Sequence, residues 1–129
     1  MHRKPSARRT DKKTSRRGVT YETVRAIGKT LEGVEEGTSY GTAALKVRGV
    51  LMARLKEDGE TLVLRTTLVD RDLLMNAAPS IYFITEHYRD YPWVLVRLTE
   101  ISRAELQERM QESWQRIARG RSTRKRGDQ

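Results

Sequence analysis

The chain has 129 residues, with 26 Lys or Arg, 17 Asp or Glu and no cysteine. That length holds one domain rather than two. The lack of Cys excludes a disulfide scaffold, a thiol nucleophile and Cys-based zinc or iron–sulfur sites. The net charge of +9 is unevenly placed: residues 1–18 carry eight Lys/Arg and one acid, residues 115–129 six and one, and the segment between them twelve and fifteen. A mildly acidic body with two basic ends is expected, not a basic fold.

Residues 1–18 have only Met1 and Ala7 as apolar side chains. Such a segment cannot bury enough surface to offset its ordering, so it reads as a disordered basic arm. Residues 20–32 follow with Tyr21, Val24, Ile27, Gly28 and Leu31 on one helical face. Thr20 stands at the N-cap position and Gly33 at the C-terminal stop. Strand patterns then occupy residues 43–47 and 50–56, with Arg48-Gly49 as the tight turn of a hairpin. After a turn at 57–60, residues 61–68 form a third β-branched, Leu-rich strand. Asp70 is placed as the N-cap of a short helix over 71–77, closed by Pro79. Two more strands are expected at 81–84 and 93–98. The last element is a helix announced by Ser102 with Glu105, a capping-box spacing. Leu106, Met110, Ser113, Trp114 and Ile117 continue it at steps of three and four, and residues 119–129 read as a disordered basic tail.

The order helix, three strands, helix, two strands, helix predicts an α+β domain over 19–118, an antiparallel sheet flanked by N- and C-terminal helices. No apolar run is long enough to cross a bilayer, so no membrane role is expected.

Several runs resemble the YjbR/MmcQ-like proteins, a bacterial family. They are Leu31-Glu32-Gly33-Val34-Glu35-Glu36-Gly37-Thr38-Ser39-Tyr40-Gly41-Thr42, then Leu45-Lys46-Val47-Arg48-Gly49, Ala53-Arg54-Leu55, and His87-Tyr88-Arg89-Asp90-Tyr91-Pro92-Trp93-Val94. Ser113-Trp114 resembles the family's Ser-aromatic pair near the end of its last helix. The chain departs from the family at Ala43 and Leu45, where Pro and Phe are common, and at Val50, where Lys is common. The resemblance covers about residues 20–118. It implies a frataxin-like (CyaY-like) α-β-α arrangement, described in the family as double-winged, and a DNA-binding function.

Two site readings follow. In the first, cations contact the phosphates of a nucleic acid, DNA before RNA, releasing condensed counterions. Its residues are Arg8, Arg9, Lys12, Lys13, Arg16 and Arg17 in the arm and Arg124, Lys125 and Arg126 in the tail. A hairpin wing adds Lys46, Arg48, Arg54 and Lys56 in period-two pairs, with Arg65 beside them. In the second, Tyr40, His87, Tyr88, Tyr91 and Trp93 line a pocket for a small ligand or a protein partner. Catalysis has little support: His87 is the only His within the domain, and no nucleophile-elbow, phosphate-loop or zinc-helix motif occurs. The expectation is therefore a non-enzymatic, cytoplasmic monomer with no metal and no cofactor.

Overall fold

The structure, a computed structural model, describes residues 18–127, with side chains through residue 120. Its elements in chain order are α1 (Tyr21–Gly28), β1 (Val34–Ser39), β2 (Thr42–Val47), β3 (Val50–Leu55), β4 (Thr61–Arg65), α2 (Leu68–Ala77), β5 (Tyr82–Phe83), a 3-10 turn (Glu86–Tyr88), β6 (Trp93–Arg97) and α3 (Arg103–Gly127). The strands form one antiparallel sheet in the order β1-β2-β3-β4-β6-β5. The fold is α+β with a helix at each end, as the element order predicts. Among the described residues no helix is long and apolar enough to cross a membrane.

One face of the sheet carries the main core. Leu45, Val47, Met52, Leu62, Leu64, Val94 and Val96 from the strands meet Val24 and Ile27 of α1 and Leu106, Met110 and Ile117 of α3. Leu74 and Met75 of α2 pack against the same cluster. The alternation along each strand sends the intervening residues to the opposite face. That second face bears Arg54, Val63, Arg65, Trp93 and Leu95, and it is where the candidate site lies.

Several local expectations change. β1 is absent from the sequence reading because four of its six residues are exposed, so it has no alternating apolar signal. Its pairing with β2 alone makes it a strand. The first helix stops at Gly28, not residue 32. The amides of Lys29, Thr30 and Leu31 turn back onto Arg25, Ile27 and Gly28, and Gly33 takes a φ of +81°. Thr20 occupies the N-cap position, but its side chain makes no capping bond.

The cap of α2 is Thr67, whose hydroxyl accepts from the amide of Asp70. Asp70 is thus not the cap; its carboxylate accepts from Arg116 of α3. Half of the Ser102–Glu105 box forms. Ser102 Oγ accepts from the Glu105 amide at 3.1 Å, while the Glu105 carboxylate accepts from the hydroxyl of Tyr82. Burial first, and Glu105 second, push the Tyr82 phenol well above its ordinary pKa. Helical backbone continues past residue 119, the expected start of the tail. Arg and Lys propagate a helix readily once a long one is nucleated.

Candidate functional site

Four segments converge on the second face of the sheet. The first is the two-residue turn between β1 and β2, made by Tyr40 with φ +54° and Gly41 with φ +81°. Both central residues need positive φ, the geometry that matches hairpin twist and that Asn-Gly or Gly-Gly adopt easily. A bulky side chain is disfavoured there. Tyr40 nonetheless holds the position, and it is 84% exposed. Its ring therefore contributes little to the core in return for the strain.

The second segment is β3. Lys46 pairs with Leu51, but Leu45 pairs with Ala53, so Met52 is an extra, bulged residue. The bulge reverses the face of every later residue on β3. Without it Arg54 would point with Val50 into the core. With it Arg54 joins Leu51 on the second face. There Arg54 is only 7% exposed, and its guanidinium donates to Thr42 Oγ1 at 3.0 Å and to the Tyr88 hydroxyl at 3.4 Å. It also pairs with Glu57 at 3.5 Å and stacks 5.2 Å from the centre of the Tyr40 ring.

The third and fourth contributions come from residues 86–93 and from the paired ends of β4 and β6. His87 and Tyr88 meet edge to face with ring centres 4.8 Å apart. Arg65 and Trp93 are direct cross-strand partners, and the guanidinium lies 4.5 Å from the indole centre. Arg65 Nε donates to the Leu51 carbonyl at 2.8 Å, and burial lowers the guanidinium pKa. Lys56 Nζ sits 5.7 Å from the Tyr88 ring.

What holds the 86–93 segment is Arg71 of α2, buried to 6% exposure. Its guanidinium donates to four carbonyl oxygens: Tyr88 at 3.1 Å, Tyr91 at 3.0 Å, Trp93 at 3.3 Å and Arg89 at 2.9 Å. One side chain therefore fixes the path of the whole loop. Sequence reasoning missed it because its partners are backbone oxygens 17 to 22 residues away, which leave no side-chain signature.

Together these segments enclose a cleft of about 540 Å³. Tyr40, His87, Tyr88, Tyr91 and Trp93, the five residues of the pocket reading, all line it. Leu51 and Val63 add apolar surface, and Arg54 and Glu57 add a charged pair. None of these four belongs to the pocket reading from sequence. The volume is in the range of small-molecule sites.

Four of the five wing cations, Lys46, Arg54, Lys56 and Arg65, lie on the second face. Arg54 lines the cleft, and Arg65 lies against the Trp93 ring beside it. Arg48 is exposed in a positive-φ turn (φ +50°), where strand alternation no longer applies. Lys46 stays half-buried on β2, opposite Glu35 of β1. Lys56 lies beyond the end of β3. The turn takes Arg48 out of the strand alternation, while the bulge carries Arg54 to the face of Lys46. Arg8, Arg9, Lys12, Lys13, Arg16 and Arg17 lie outside the described residues, as do the side chains of Arg124, Lys125 and Arg126.

His87 has no carboxylate partner in the observed geometry; the neighbouring Glu86 pairs with Arg89 at 3.0 Å. Among the described residues, no group of three or more His, Cys, Asp or Glu could hold a metal ion. Ser113 is buried, and the Trp114 indole donates to the Glu32 carbonyl at 2.7 Å, tying α3 to the turn after α1. That pair is structural and lies away from the cleft.

The YjbR family model matches residues 29–116, which include every residue lining the cleft. The chain belongs to the YjbR family. Among solved structures it is similar to a Deinococcus radiodurans protein with a DUF419 domain, at a TM-score of 0.64 and 21% identity over 74% of this chain and 75% of that one. At that identity the likeness speaks for the fold. Among curated proteins it is similar to uncharacterised proteins of Mycobacterium bovis and Mycobacterium tuberculosis, 50% identical over 36 residues. The match spans 28% of this chain and 28% of each relative.

Proposed function

We propose that this YjbR-family chain is a binding protein whose site is the aromatic cleft on the second face of the sheet. The observation that carries the proposal is Tyr40. An exposed aromatic ring held at positive φ, where a smaller residue would be more stable, is explained by contact with something outside the chain. Around it the cleft offers flat apolar walls and one charged pair. Its occupant is planar and either neutral or anionic. Cations from the protein itself already sit on the rings of Tyr40, Tyr88 and Trp93, so a cationic guest would meet repulsion where it would otherwise gain cation–π attraction.

Calorimetric titration tests this with three probes: indole-3-acetate, adenosine monophosphate and choline. Saturable binding of the first two, lost in Tyr40→Asn and Trp93→Leu, supports the proposal. Failure of both to bind, or binding indifferent to those substitutions, ends it. Tight choline binding refutes the account of the charges.

The uneven charge favours a second contribution, electrostatic attraction of a nucleic acid by the basic ends. Log affinity for duplex DNA would then fall with log salt by about 0.9 per phosphate contacted. Replacing the arm and tail cations by Gln would flatten that slope. An unchanged slope would remove the ends from the mechanism. The proposal keeps the frataxin-like description of the fold and a non-enzymatic role.

A further inference from the structure

On the core face of the sheet, away from the cleft, α2, α3, β4 and β6 border a small recess of about 10 Å³. That is the room of one water-sized sphere. Leu64, Leu74 and Val94 form its apolar wall. Arg109, Ser113 and Arg116, at steps of four and three on α3, share one helical face and form the polar wall. Three of their atoms are buried and have no hydrogen-bond partner among the described residues: Ser113 Oγ, Arg109 Nε and Arg116 Nε. Ser113 is 2% exposed. A serine inside a helix often bonds back to the carbonyl one turn earlier; this one does not. The neighbouring carboxylates take the far end of each guanidinium. Glu108 and Glu112 accept from Arg109 Nη2, and Asp70 accepts from Arg116 Nη2. The Nε–H groups are left over, and a guanidinium nitrogen can only donate.

We propose that this recess binds a single halide ion, chloride, held by the Ser113 hydroxyl and by the Nε–H groups of Arg109 and Arg116. Buried donors without an acceptor are costly, and those to a charged partner gain the most when one arrives. A water has two lone pairs for three donors and brings two protons of its own. A halide accepts from all three and brings none. The flanking carboxylates offset the guanidinium charges, so a second negative charge would find no counterpart, and the size excludes phosphate, sulfate and carboxylate groups. Glu112 and Arg116 border the recess with partly exposed side chains and give the ion a way in. Bound there, the ion ties α3 to β4, β6 and Leu74 of α2, the helix whose Arg71 fixes the cleft loop. The site is independent of whatever the cleft holds, so either reading can fail alone.

The test is thermal unfolding of the full chain in sodium chloride or sodium bromide against sodium gluconate at constant ionic strength, joined to a crystal grown in bromide. An ion that binds the folded chain alone raises Tm by mass action. Above its dissociation constant, each tenfold rise in halide should lift Tm by about 5–11 °C. Gluconate is too large for the recess and should give no such rise. Ser113→Ala removes one donor and should move the halide midpoint up by about 10- to 100-fold. In the crystal, an anomalous bromide peak should lie within hydrogen-bond reach of Ser113 Oγ and both Nε atoms. Equal melting in halide and gluconate, or a water at that position with no bromide signal, overturns the proposal. A bromide peak without the solution shift marks an adventitious ion only and overturns it as well. A halide effect that Ser113→Ala leaves unchanged places the ion elsewhere and rejects this site. Should Ser113→Ala not fold, the bromide position and the melting curves of the parent decide.

Discussion

Arg71→Met removes the clamp on the 86–93 loop while keeping an unbranched apolar stem. Four hydrogen bonds from a buried guanidinium disappear. Bonds to a charged group contribute about 1.5–3 kcal/mol each when measured singly, and such values do not add. Two of the abandoned oxygens keep a backbone partner, since Tyr88 O accepts from the Tyr91 amide at 3.1 Å and Tyr91 O from the Trp93 amide at 2.7 Å. The guanidinium itself is also gone, so no unpaired charge is left buried. Loss of the donor to the remaining two oxygens, at about 1–3 kcal/mol for each buried acceptor, sets the total at about 3 kcal/mol. For a folded body of this size, 1 kcal/mol moves Tm by about 4–8 °C, so the midpoint should fall by about 12–24 °C in thermal circular dichroism. Amide exchange localises the damage. The Arg89 amide, bonded to Glu86 O, and the Thr66 amide, bonded to Pro92 O, should lose protection before the β4–β6 ladder does. Arg71→Lys should recover less than half of the loss, because one ammonium cannot span four oxygens. A Met variant melting within about 3 °C of the parent, with the loop amides still protected, would refute the clamp.

Tyr40→Asn should raise stability by up to about 1 kcal/mol by chemical denaturation, because Asn tolerates the positive-φ turn; a destabilised variant would mean that the ring packs more than its exposure implies. Gly28→Ala should destabilise by about 1–3 kcal/mol although Ala is the better helix former, because the new Cβ would stand 2.9 Å from Leu45 Cδ1 in the core. Equal or greater stability in urea would contradict this close approach. Asp58 accepts from the Glu60 amide, the Thr61 amide and Thr61 Oγ1. The Glu60 amide above all, then the Thr61 groups, holds its pKa below the ordinary 3.8. A depressed carboxylate stabilises the fold above its unfolded pKa, and that contribution is lost as pH falls through the folded value. The stability gap between the parent and Asp58→Asn should therefore be constant from pH 5 to 7 and close below about pH 4; a gap persisting at pH 2 would show that the charge is irrelevant.

Local sequence determined much of the framework. Helical spacing in 103–117 and the Ser102 signal marked α3, and Arg48-Gly49 marked the β2–β3 turn. These patterns were legible because helix and hairpin geometry depend on residues a few positions apart. The five aromatic residues of the cleft were also legible, as types suited to a binding surface. Their convergence was decided by tertiary structure. The Met52 bulge sets the face that Arg54 takes, and a bulge is a property of two paired strands. β1 exists because β2 offers it a ladder, since its own residues are mostly exposed. Arg71 reaches backbone oxygens brought beside α2 by the packing of the chain. The same holds for the hairpin cations: period-two alternation fixes faces only while the register holds, and register is written between strands.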